Sequence, residues 1–167
     1  MTLFKKLQWL ILACALAGMN LSLSAHELND TSAQVILRDG QVEVRVITDI
    51  DHLISALQDN QAWLLGDIDT VMPENLSAVQ QADFIKKALK QKMHLMVNNK
   101  VISFERVTLA NNTNTDRGEI VFQAQHAFPE VKNVSISFHK SLGAVHVSFV
   151  KPQYKLLSAG ERADVVF

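Results

Sequence analysis

The sequence predicts a mainly β protein: an antiparallel β-sandwich of six to eight strands, with two helices inserted between the second and third strands. Three observations predict it. Short runs rich in Val, Ile and Phe alternate with polar residues, as strands with one buried and one wet face must. The dipeptides Asp39-Gly40 and Asn98-Asn99 separate such runs as turns. One block, residues 49–91, changes its apolar spacing from the strand period to the helical one.

The elements follow in order. In "TSAQVILRDGQVEVRVITD", Asp39-Gly40 supplies the positive φ angles of a type I′ turn, so a hairpin is expected. Val42, Val44 and Val46 alternate with Glu43 and Arg45, giving one buried face. In "DIDHLISALQ", Leu53, Ala56 and Leu57 fall on one side of a short helix, with Asp49 or Asp51 as its cap. "NQAWLLGDIDTVMPEN" reads as a connector anchored by Trp63, Leu64 and Leu65.

The clearest helix is "SAVQQADFIKKALKQ". Ser77 and Gln80 form a capping box, and Ala78, Ala82, Ile85 and Leu89 make the apolar stripe. Gln80, Asp83, Lys87, Lys90 and Gln91 lie opposite. "MHLMVNNKVISFERVTLA" then turns at Asn98-Asn99, and "NNTNTDRG" is a polar loop. "EIVFQAQHAF" is a strand that Pro129 ends, "NVSISFHKSLGAVHVSFVKPQ" a further hairpin, and "ERADVVF" a last strand.

The N-terminus carries Lys5 and Lys6, then the apolar run Leu7 to Leu21, then small residues closing on Ala25. This is the layout of a secretory signal peptide. The run falls short of the roughly 20 apolar residues that span a bilayer. Residues 1–25 are thus expected to be a cleaved signal, and 26–167 a single periplasmic domain. Lipidation at Cys14 is disfavoured, because Leu12 is bulky and the chain beyond Cys14 stays apolar.

Cleavage removes the only cysteine, so neither a disulfide nor a thiolate ligand is expected. It also removes two of the 16 basic residues and none of the 17 acidic ones, which leaves a net charge of −3. That excess argues against nucleic-acid binding. No stretch of the mature chain is long and apolar enough to span a membrane.

Six histidines remain, and neutral imidazole is the commonest metal ligand. His26 would begin the mature chain, where its α-amine and ring could chelate one ion. Cu(II) or Ni(II) suits such nitrogen donors. Pairing Phe138 with Val147 in the last hairpin would set His139 opposite His146, with Cβ atoms about 5 Å apart. His52, in "DIDH", is a further donor. The Asp clusters 49–51 and 67–69 do not fit a calcium loop. His94 and His126 sit in strands and are expected to be structural. A nucleophile elbow and a Gly-rich phosphate loop are both missing from the sequence, so no enzyme is expected.

Three stretches carry a resemblance: "AHEL", "VRVITDIDHLISAL" and "VHVSFVKPQYKLLSAGERADVVF". Together they resemble the extracytoplasmic N-terminal domains that precede HupE/UreJ-type membrane regions. The resemblance implies a β-sandwich beside a membrane protein that handles nickel, cobalt or copper. Two functional expectations result. The first is a non-enzymatic accessory module binding Cu or Ni through His26, helped by His139, His146 or His52. The second is a module docking on an inner-membrane transporter or another envelope protein, through an edge strand or the stretch around Trp63.

Overall fold

The computed structural model describes residues 31–111, 117–154 and 156–163. The expected signal segment, its cleavage site and His26 lie outside them, as does the middle of the Asn/Thr loop. The described chain is mainly β, with two sheets and three helices. Its strands are β1 (Thr31–Arg38), β2 (Gln41–Asp49), β3 (His94–Val97), β4 (Lys100–Ile102), β5 (Arg106–Asn111), β6 (Arg117–Gln125), β7 (Val134–Ser137) and β8 (Val145–Val150). Its helices are α1 (Ile50–Gln58), α2 (Asn60–Leu64) and α3 (Ala78–Lys92), all between β2 and β3.

The larger sheet has the order β5-β6-β2-β1-β8, and the smaller one β4-β3-β7. Valines 42, 44 and 46 of β2 are buried, as are Ile120, Phe122 and Ala124 of β6. They join Leu53 and Leu57 of α1, Ile85 and Leu89 of α3, and Leu95 and Val97 of β3 in one apolar cluster. Burial of this continuous apolar surface is the main stabilising term.

Local chemistry sets the helix starts. The Asp49 side chain accepts the His52 backbone N–H at 2.9 Å and caps α1. At α3 the Gln80 side chain accepts the Ser77 N–H at 2.9 Å, and the Ser77 hydroxyl accepts the Gln80 N–H, closing the capping box. The buried stripe of α3 centres on Ile85 and Leu89, with Phe84 and Ala88 packed beside them. Ala78 is exposed, because the first turn projects beyond the core.

Several expectations are corrected. A third helix, α2, occupies part of the connector, and Trp63, Leu64 and Leu65 are exposed. The connector is anchored instead by Ile68 and Met72, which join the core. The Asp39-Gly40 turn is not type I′: Gly40 has φ +71°, but Asp39 is not among the residues with positive φ. The I′ requirement of two positive φ angles is met at Asn98 (49°) and Asn99 (63°). There the Asn98 carboxamide donates to the Glu130 carbonyl at 2.7 Å and accepts the Lys132 N–H at 2.8 Å, bolting the turn to the following loop. The strand expected to run to Pro129 ends at Gln125. Residues 161–163 form no strand, and 164–167 lie outside the described residues.

The largest correction concerns the last hairpin. β7 pairs with β3 in the smaller sheet, whereas β8 crosses to the larger sheet and pairs with β1 in parallel. The expectation of purely antiparallel sheets fails at this ladder. The cause lies between the two strands, in a 3₁₀ turn over Lys140–Leu142. Leu142 is buried in the core, which a residue at a hairpin tip could not be. The Thr31 hydroxyl donates to the Leu142 carbonyl at 2.9 Å. Having spent its proton there, it accepts from the Thr48 hydroxyl, also at 2.9 Å. This buried chain ties the turn to β1 and β2.

Candidate functional site

Two features stand out on this scaffold: a cleft beside the 3₁₀ turn and the β8 edge of the larger sheet. The cleft encloses about 160 Å³ between α1, the connector, α3 and the turn. Leu57, Ile68, Phe84 and Ala88 give it an apolar lining. Polar groups join the lining from α3 (Lys87, Gln91, Lys92) and the connector (Asp69, Thr70). Lys92 Nζ and the Asp69 carboxylate are 2.8 Å apart, and both groups are about half exposed. Nearby in sequence, Lys140 of the turn reaches Asp67 at 2.6 Å.

His139 also lines the cleft and is only 4% exposed. Its Nδ1 accepts the Ser141 backbone N–H at 3.1 Å and lies 2.7 Å from the Ser141 hydroxyl, capping the turn. An N–H can only donate, so Nδ1 carries the lone pair and the neutral ring holds its proton on Nε2. Burial pushes the His139 pKa down, and the Lys92 charge adds to that; the Asp69 carboxylate acts the other way without cancelling it. The ring is therefore neutral at pH 7, an N–H donor with its acceptor nitrogen already committed.

The second feature is β8, which has a strand neighbour on one side only among the described residues. Parallel partners share a sheet face, so Val147 shares that of Ala33 and Phe149 that of Val35. Ala33 and Val35 are buried, yet Val147 is 39% and Phe149 52% exposed. The packing that covers β1 stops short of β8, which leaves an apolar stripe beside open backbone groups. "VHVSFV" has no charge and no Pro, the devices that usually blunt an edge; Lys151 and Pro152 follow only after the strand has ended. A second exposed apolar group, Trp63, Leu64 and Leu65, lies at the end of α2.

The predicted metal residues do not converge among the described ones. His139 and His146 are not cross-strand partners: β7 ends at Ser137, and His146 pairs with Ser32. His52 is exposed in the first turn of α1, and His146 is exposed on β8. No group of three His, Cys, Asp or Glu that could hold a metal ion occurs among the described residues. Ligation through His139 Nε2 would need the proton on Nδ1, where it would meet the Ser141 N–H. His126 stacks on Phe128 and accepts the Phe128 N–H through Nδ1 at 3.3 Å. Its buried Nε2 has no partner among the described residues.

Sequence reasoning missed Glu43, a carboxylate buried on the outward face of the larger sheet. Its signal was the presence of Arg38 and Arg45 at compatible strand positions. Lys87, expected on the solvated side of α3, is exposed and also borders the cleft. No helix among the described residues is long and apolar enough to cross a membrane. No protein-family model matches the chain, and neither does any curated protein or solved structure.

Proposed function

We propose that the chain is a periplasmic β-sandwich acting as a non-enzymatic docking module, which accepts an extended segment of an inner-membrane or envelope protein along β8. One observation carries this reading: the apolar face that is buried beneath β1 continues, exposed, onto β8, which has a strand neighbour on one side only among the described residues. Strand addition suits such an edge. Backbone hydrogen bonds would supply affinity, and Val147 and Phe149 would receive alternate side chains of the incoming segment. The signal-like N-terminus supports the location, and the HupE/UreJ resemblance supports a membrane protein as the partner.

A Cu(II) or Ni(II) role draws no support from the described residues. His52 and His146 stand exposed on separate elements, and the acceptor nitrogen of His139 is occupied. That reading rests on His26.

Photo-crosslinking in intact envelopes tests the docking proposal. A crosslinkable residue at position 149 is expected to give one discrete adduct with a membrane protein. Val147→Lys, on the same face, should abolish it. A crosslinker at Val101, exposed on the smaller sheet, is the control. Equal labelling from both positions, or adducts only with the chain itself, would overturn the proposal.

A further inference from the structure

We infer that the cleft under His139 is a binding site for a small monocarboxylate with a short hydrocarbon tail. The walls select the tail. Leu57, Ile68, Phe84 and Ala88 offer an apolar lining with no hydrogen-bonding side chain among them. The volume, about 160 Å³, is close to that of cavities that admit one benzene, roughly 150 Å³. That is room for about four to six carbons.

The polar groups select the head. The Nε2–H of His139 belongs to a side chain more than nine-tenths buried, and it has no hydrogen-bond partner among the described residues. Solvent reaches that nitrogen, and an acceptor on a ligand in the cleft would take the water's place. Lys92 and Asp69 line the same cleft as His139, and theirs are the charges that act on it. With Lys87 and Lys92 against Asp69, the cleft carries a net charge of about +1. A carboxylate satisfies the N–H and competes with Asp69 for the Lys92 ammonium. An amine would meet two cations and, as its anionic partner, only Asp69, which Lys92 already engages; an alcohol would forgo the charge-assisted bond.

Calorimetric titration of the chain with straight-chain acids from acetate to octanoate tests this. Saturable binding is expected, tightest at four to six carbons, with Kd about 1 mM as suits so few heavy atoms. Butanol, butylamine and inorganic phosphate should not bind measurably at that concentration. Lys92→Met should weaken binding about tenfold, and Asp69→Asn should tighten it, because it removes the competitor for Lys92. His139→Asn keeps a side-chain acceptor for the Ser141 N–H but withdraws the donor from the cleft; it should weaken binding while thermal unfolding confirms the fold. No saturable binding up to about 10 mM, equal affinity for phosphate, or indifference to both Lys92→Met and Asp69→Asn would each sink the assignment. Lys92 and Asp69 are surface residues, so their variants remain informative even where the His139 variant unfolds.

Discussion

Glu43 lies on the outward face of the larger sheet at 5% exposure, and Arg45 Nε donates to its Oε1 at 2.7 Å. Arg38 and Gln123 each reach Oε2 at 3.3 Å. The arginine stems shield the carboxylate while their charged heads stay in water. Burial alone would raise the Glu43 pKa, but the bonds from Arg45 and Gln123 and the charges of Arg45 and Arg38 outweigh it, holding the carboxyl below its usual range.

A depressed folded pKa makes Glu43 a source of acid sensitivity. Its contribution is present above the unfolded carboxyl value, about 4.3, and is lost as pH falls through the lower folded value. Glu43→Gln is expected to cost about 2 kcal/mol at pH 7, measured by urea unfolding. The gap between parent and variant should close below pH ~4. A gap that stays constant down to pH ~3 would show that the ionised form makes no difference.

Gly118 faces Ile50 across the start of α1. A Cβ built there would lie 2.5 Å from Ile50 Cγ1 and 2.6 Å from Cδ1. Gly118→Ala must therefore displace a core side chain and is expected to cost about 1–3 kcal/mol. Ile50→Val in the same chain should relieve part of that cost, because it removes Cδ1. Two independent, additive losses would contradict the contact.

Phe149 and Phe122 are the same residue type in opposite circumstances. Phe122→Ala, at a fully buried site whose ring packs tilted against Phe104 with centroids 5.2 Å apart, should cost about 3–5 kcal/mol. Phe149→Lys should change stability by no more than about 0.5 kcal/mol while removing the envelope adduct formed from a crosslinkable residue at position 147. Thermal unfolding of the two variants separates an unused apolar surface from one that supports the fold.

For metal binding, the double variant His52→Gln, His146→Gln is expected to bind as much Cu(II) per chain as the parent. The two imidazoles stand on separate elements, and no group of three His, Cys, Asp or Glu that could hold a metal ion includes either of them among the described residues. Titration of protein beginning at His26, followed by its copper spectrum, is the measurement. A loss of stoichiometry in the double variant would restore these residues to a shared site.

Much of the fold was legible because local rules acted alone. The Ser77–Gln80 box, the Asp49 cap and the alternation through Val42, Val44 and Val46 depend on neighbours within a few residues. The last hairpin was not legible. Its alternation suited a Phe138–Val147 pairing, but burying Leu142 and bonding Thr31 to its carbonyl won, and both are long-range events. The same blindness hid the cleft, since nothing near His139 in sequence announces Leu57 as its neighbour across the fold. The exposed state of Trp63 likewise depends on Ile68 and Met72 taking the core positions.

The parallel register of Thr31 with Val145 makes the first described strand wait for the last one. A chain that emerges from a ribosome or a secretion channel starting at its N-terminus can zip β1 to β2 at once. It cannot seal the other side of β1 until more than a hundred further residues have followed. Through that interval β1 presents a bare flank of its own, and closing so long a loop is slow. The growing chain therefore passes through a vulnerable stage in which a holdase, or any stray strand, competes with its own C-terminal segment.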